Sequence, residues 1–175
     1  VYVVSQVYGN NFHFLKFTLD GSTVSSVSMS MTDARPGAFT IDNAANFYIL
    51  AEWGFSVKLF KYTLVPFRFG ERSRLLWVKT VSGPWTPKIG DVVTDGNGNV
   101  YMSYSFNSPD GNKATPFLTK FNANGDILFT RDLSPSNATV QYTYPRRLSV
   151  RADAIYVSGT TSVAYPGYTS KGSDD

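Results

Sequence analysis

Apolar and polar residues alternate in short runs along the whole chain, and Gly, Asn, Asp, Ser or Pro interrupts them about every ten residues. That is the rhythm of short strands joined by turns, and no long run carries the apolar spacing of an amphipathic helix. Four segments share a tyrosine signature: Val1-Tyr2-Val3-Val4-Ser5, then residues 41–50, 94–103 and 150–159. Their tyrosines, Tyr2, Tyr48, Tyr101 and Tyr156, recur roughly fifty residues apart, a period that indicates a propeller or a solenoid. Each segment reads as strand, tight turn, strand. In the third, Asp95-Gly96-Asn97-Gly98-Asn99 supplies the positive-φ residues that a hairpin turn needs.

A second hairpin follows each of the first three signatures. Its first strand is Phe14-Leu15-Lys16-Phe17, Leu59-Phe60-Lys61-Tyr62 or Leu118-Thr119-Lys120-Phe121, and its second covers residues 24–29, 75–81 or 127–133. Pro36, Pro87 and Pro145 are expected just before the opening strand of a unit, because proline cannot donate to a ladder. The repeating unit is therefore four antiparallel strands. The predicted division is a partial unit of three strands at 1–33, full units at 34–83 and 84–135, and a partial unit of two strands at 136–175, all in one domain. Phe14-Leu15 and Val92-Val93 are apolar on both faces of their strands. Sheets packed between two neighbours bury both faces, whereas a sandwich buries one. The predicted fold is an all-β propeller of four-stranded antiparallel blades. The pattern opens inside a strand and stops at 172–175, where a further strand is expected. We therefore expect an incomplete portion of a larger ring, closed by more of the same polypeptide or by a neighbouring chain.

Composition agrees with this picture. The 175 residues include 13 Phe, 11 Tyr and 3 Trp, types that suit half-buried pleated surfaces. The net charge of +3 is mild and its sources are scattered. The densest basic group, Arg68, Arg72 and Arg74, has Glu71 among it, so the basic stripe of a nucleic-acid surface is missing. With no cysteine there is no disulfide framework and no thiolate metal site. No apolar run approaches the ~20 residues of a membrane-spanning helix.

The stretch Asp95-Gly96-Asn97-Gly98-Asn99-Val100-Tyr101-Met102-Ser103, continued by residues 117–129, resembles the bacterial β-propeller repeat known as SBBP. So does Ile155-Tyr156-Val157-Ser158-Gly159-Thr160-Thr161-Ser162, with Gly172-Ser173-Asp174 after it. The second unit departs from the pattern: Ala44-Ala45 replaces the turn glycines, and residues 65–74 are an insertion before its last strand. NHL repeats are a more distant likeness. The resemblance implies a propeller, usually on a secreted or cell-surface protein, and no shared catalytic motif comes with it.

The chemistry-bearing residues are few. His13 is the single histidine, so any Ser-His-Asp triad must use it, and between Phe12 and Phe14 it reads as a packed or edge residue. One histidine without cysteine makes a zinc site a poor fit. Read as an EF-hand, the Asp95 loop would place Val100 and Phe106 where glycine and glutamate belong, so it reads as a hairpin turn, with looser calcium binding through its side chains and carbonyls as the alternative. Asp42, Asp91, Asp95 and Asp153 recur near strand ends, and Asp42, Asp95 and Asp153 are expected at equivalent repeat positions, which favours a turn role over paired carboxylates for glycoside chemistry. Asn137-Ala138-Thr139 is a glycosylation sequon in a predicted turn. The loops before the opening strands carry Arg35, Trp85, Lys88, Tyr144, Arg146 and Arg147, with Trp53 and Tyr165 after the second strands of their units. Aromatics beside Arg and Lys suit sugar rings or a protein partner. The candidate ligand-binding set is Arg35, Trp53, Trp85, Lys88, Tyr144, Arg146 and Tyr165.

These features set the functional expectations. The first is a non-catalytic extracellular or surface scaffold that mediates protein contacts or assembly, without a cofactor or metal. The alternatives are a lectin-like propeller that binds carbohydrate and a propeller hydrolase or lyase.

Overall fold

The computed structural model describes residues 2–7, 11–31, 33–68, 70–135, 141–152 and 154–165. Among them are thirteen strands and no helix. A first sheet is the meander β1 (Tyr2–Val7), β2 (Asn11–Phe17) and β3 (Thr23–Ser30). A second holds β4 (Arg35–Ile41), β5 (Phe47–Trp53), β6 (Ser56–Phe67) and β7 (Gly70–Ser82) in that order. The third contains β8 (Thr86–Thr94), β9 (Val100–Asn107), β10 (Lys113–Phe121) and β11 (Ile127–Asp132). The hairpin β12 (Gln141–Val150) and β13 (Ile155–Thr161) joins that sheet through a short parallel pairing of Lys113 with Gln141 and Ala114 with Tyr142. Among the described residues none of the sheets closes on itself. The remaining pairings are antiparallel, as hairpin-linked strands require.

Burial explains why these sequences alternate so little. β5 and β9 are buried on both faces over most of their length, whereas β7 and β11 are largely exposed. Three apolar clusters lie between successive groups of strands. Phe14 and Met29 of the first sheet meet Phe47, Ile49 and Phe60 of the second. Tyr48, Leu50 and Leu59 of the second meet Val92, Met102, Tyr104 and Phe106 of the third. Tyr101 and Leu118 of the third meet Leu148 of β12. The opening strands β4, β8 and β12 run beside one another, β8 in the middle.

Each opening strand carries a β-bulge at the same level. The extra residue is Gly37 in β4 and Arg146 in β12, and in β8 the shift falls at Gly90 and Asp91. The glycines follow from close approach. A Cβ on Gly37 would sit 3.1 Å from the Ile89 side chain, and one on Gly90 would sit 2.6 Å from the Pro145 carbonyl oxygen. Asp91 ties the same junction: its carboxylate accepts from the Leu148 amide at 3.0 Å and its own amide donates to Ser103 Oγ at 3.0 Å.

Several local expectations are corrected. Pro36, Pro87 and Pro145 lie within β4, β8 and β12, Pro36 and Pro145 directly beside the bulges that relieve the ladder. The insertion before the last strand of the second unit takes the form of a lengthened β6–β7 hairpin, with Val65 opposite Arg72, and Ser25 Oγ of β3 donates to Glu71 on that extension. Asp153 lies outside the described residues, and the Asp42 and Asp95 position is taken by Arg151. The amides of Asp42, Asp95 and Arg151 donate to the carbonyls of Asn46, Asn99 and Ala154, so the last turn is one residue shorter.

Candidate functional site

The turn carboxylates are built into the fold. Asp42 Oδ1 accepts from the Ala44 and Asn46 amides at 2.9 and 2.8 Å, while Oδ2 accepts from Asn46 Nδ2 at 2.8 Å and the Tyr48 hydroxyl at 2.9 Å. Asp95 repeats the arrangement with the amides of Asn97 and Asn99, Asn99 Nδ2 and the Tyr101 hydroxyl at 2.7 to 3.0 Å. Burial pushes both carboxyls up, but the hydrogen bonds from the asparagines and tyrosines outweigh it and hold both below the usual range, helped at Asp42 by the Lys61 charge. Burial, followed by the bond to Asp42, pushes the Tyr48 hydroxyl well above its ordinary value. These carboxylates serve the hairpins. Of the turn glycines, Gly98 has a positive φ (78°), and Ala45 adopts the same left-handed conformation (59°) at the matching place in the second sheet.

A different kind of site lies between β8, β9 and β12. Lys88 of β8 stands opposite Ser105 of β9, and Thr86 stands opposite Asn107, so Ser105 and Asn107 share one face. Tyr104 and Phe106 fill the core on the other face. The bulge at Arg146 turns that residue toward the same space, consistent with the way bulges re-aim side chains. Lys88, Ser105, Asn107, Tyr144 and Arg146 thus line a cavity of about 280 Å³, and none of its lining residues is acidic. Lys88 and Arg146 are exposed, with the guanidinium 5.8 Å from the Tyr144 ring centre. Ser105 is fully buried (0% exposed), and among the described residues neither its hydroxyl nor Asn107 Oδ1 has a hydrogen-bond partner. Buried polar atoms are nearly always paired, so two unpaired ones under two cations are a reason to look for a ligand.

No protein-family model matches the chain, and no curated protein matches it. Among solved structures the chain is similar to a protein of unknown function from Bacteroides caccae, at 12% identity and a TM-score of 0.54. The likeness covers 91% of this chain and 50% of that one, so the chain spans half the length of its neighbour. At this identity the likeness concerns the fold alone.

Of the seven sequence-predicted ligand residues, the pocket gathers Lys88, Tyr144 and Arg146. All three sit within strands rather than in loops. Tyr165 lines an adjoining cavity of about 670 Å³, which Tyr144 also borders, and its hydroxyl donates to the Leu133 carbonyl at 2.9 Å. Trp53 ends β5 and packs on the first apolar cluster, with Lys58 Nζ 3.4 Å from its ring centre. Trp85 packs against the second cluster, and Arg35 is exposed at the start of β4. None of these three lines the pocket. Asn137 lies outside the described residues. His13 is on β2, its Nδ1 3.2 Å from Ser28 Oγ. Ser105 and Asn107 escape a search for charged and aromatic residues. Their signal was the alternation in Met102-Ser103-Tyr104-Ser105-Phe106-Asn107, a polar face on a strand that is otherwise core.

Proposed function

We propose that the chain is a section of a β-propeller that acts as a non-catalytic binding scaffold in a secreted or surface protein. The ring reading is supported by the side-by-side opening strands β4, β8 and β12, with sheets stacked through successive apolar clusters. The SBBP resemblance supports the extracellular setting. The binding role rests on one observation: the unpaired Ser105 and Asn107 atoms beneath Lys88 and Arg146. A protein contact is a second reading, favoured by β13. Among the described residues it pairs with β12 on one side only and exposes Tyr156 and Val157, an edge to which a partner strand can add.

The test is a thermal-shift screen of the folded protein against neutral and acidic glycans and small anions, run beside turnover assays on the same compounds. The expected result is a rise in Tm with at least one ligand and no turnover. A screen negative throughout defeats the ligand role, and turnover lost on a single polar substitution in a folded variant defeats the non-catalytic one.

A further inference from the structure

We infer that the pocket between β8, β9 and β12 selects a hydroxylated carboxylate of the uronic acid class, held as a single sugar-sized unit. This rests on the binding role proposed above and specifies its ligand. Lys88 and Arg146 bring two positive charges to one cavity that no acidic residue lines, so the occupant carries negative charge. Arg146 offers the planar donor fork that matches a carboxylate.

The floor refines the choice. Asn107 Oδ1 is an acceptor without a donor, and Ser105 Oγ can donate or accept. A bare carboxylate brings acceptors only and leaves the Asn107 oxygen unpaired. A neutral sugar brings hydroxyl donors but leaves the two cations unmatched. A sugar acid carries both on one ring: its carboxylate reaches toward Lys88 and Arg146 while a hydroxyl donates to Asn107. Tyr144 supplies an aromatic wall for the ring's C–H face. The volume of about 280 Å³ suits one such ring rather than a chain of them.

Calorimetric titration of the whole chain with D-glucuronate, D-glucose, acetate and inorganic phosphate tests the inference. Glucuronate is expected to bind, with glucose and acetate each weaker by about tenfold or more. Added salt is expected to weaken glucuronate binding. Lys88→Gln and Arg146→Gln change exposed residues and should fold normally, each lowering glucuronate affinity about tenfold. Ser105→Ala should lower it about threefold without lowering the Tm of the free protein, because the hydroxyl it removes has no partner. Glucose binding as tightly as glucuronate, phosphate or acetate matching it, or Arg146→Gln leaving its affinity unchanged overturns the inference. Failure of glucuronate while another glycan binds overturns this ligand and leaves the binding role standing.

Discussion

The junction between the second and third sheets and the junction between the third sheet and β12–β13 use equivalent strands to opposite ends. In the first, Lys61 is buried, lies 5.1 Å from the Tyr48 ring and 5.9 Å from the Trp77 ring, and donates to the Ala123 carbonyl at 3.1 Å. One cation thereby closes the gap between two sheets. Lys120 occupies the matching place in the second junction, opposite Tyr101 as Lys61 is opposite Tyr48, with a β-bulge directly after each lysine. It lies 4.9 Å from the Tyr101 ring and is only half-buried. The faces differ in the same sense. Tyr104 and Phe106 fill the first junction, whereas Ser105 and Asn107, on the opposite face of the same strand, leave a cavity in the second. A sealed junction buries its cation among aromatic rings, and an unsealed one keeps an open cavity between its strands.

The largest expected effect probes the two glycines at which one opening strand approaches the next. At Gly90 an added Cβ meets Ser103 Oγ at 2.5 Å and the Pro145 backbone oxygen at 2.6 Å, and backbone cannot swing aside. Gly90→Ala is expected to cost about 3 kcal/mol by forcing β8 and β12 apart. At Gly37 the nearest atoms to the added one belong to the Ile89 side chain, from 3.1 Å, so Gly37→Ala is expected to cost about 1 kcal/mol. Urea melts of the two variants decide it. Equal losses would mean that both approaches relax alike and that the β8–β12 contact is not the tighter one.

A smaller effect separates the lysines. Lys61→Met keeps the hydrocarbon stem but strips the Ala123 carbonyl of its donor and Asp42 of a favourable charge, for an expected loss of about 1–2 kcal/mol. Lys120→Met gives up a contact with one aromatic face at a half-buried site, an expected loss of about 0.5 kcal/mol. If chemical denaturation shows the two variants equally destabilised, the sealed and unsealed junctions are not distinguished by their cations.

Much of the strand order was legible because hairpins are local. The Tyr-centred segments, the turn at Asp95 and the lysine-bearing strands each announce themselves within about ten residues. The bulges were not legible, because a bulge at Gly37, Gly90 or Arg146 depends on register against a partner strand and on the approach of a third. The expected equivalence of Asp153 with Asp42 and Asp95 failed for a related reason. Counting along the chain missed a turn that is one residue shorter, and pairing Val150 with Ile155 puts Arg151 there instead. The charged residues that line the cavity are legible in the sequence because Lys88 and Arg146 stand out by residue type. Ser105 and Asn107 were missed because serine at 103 and serine at 105 look alike in sequence. Only the fold gives Ser103 the Asp91 amide and leaves Ser105 with nothing.

The smallest effect concerns the turn carboxylates at the two junctions. Both Asp42 and Asp95 are held below the ordinary carboxylate range in the folded protein, so each contributes stability that is fully present above the unfolded value of about 3.9. That contribution is lost as pH falls through the lowered folded values, and stability should therefore drop on the acid side of about pH 4. Asp42→Asn and Asp95→Asn should each flatten this acid limb when urea midpoints are followed downward from neutral pH. The flattening should be greater for Asp42→Asn, because Lys61 adds its charge to the hydrogen bonds there, whereas the causes at Asp95 are burial and hydrogen bonds. In a Lys61→Met background the two slopes should converge. Slopes that already match with Lys61 in place would show that the buried lysine acts through its bond to Ala123 alone, and the electrostatic part of the contrast between the junctions would fall.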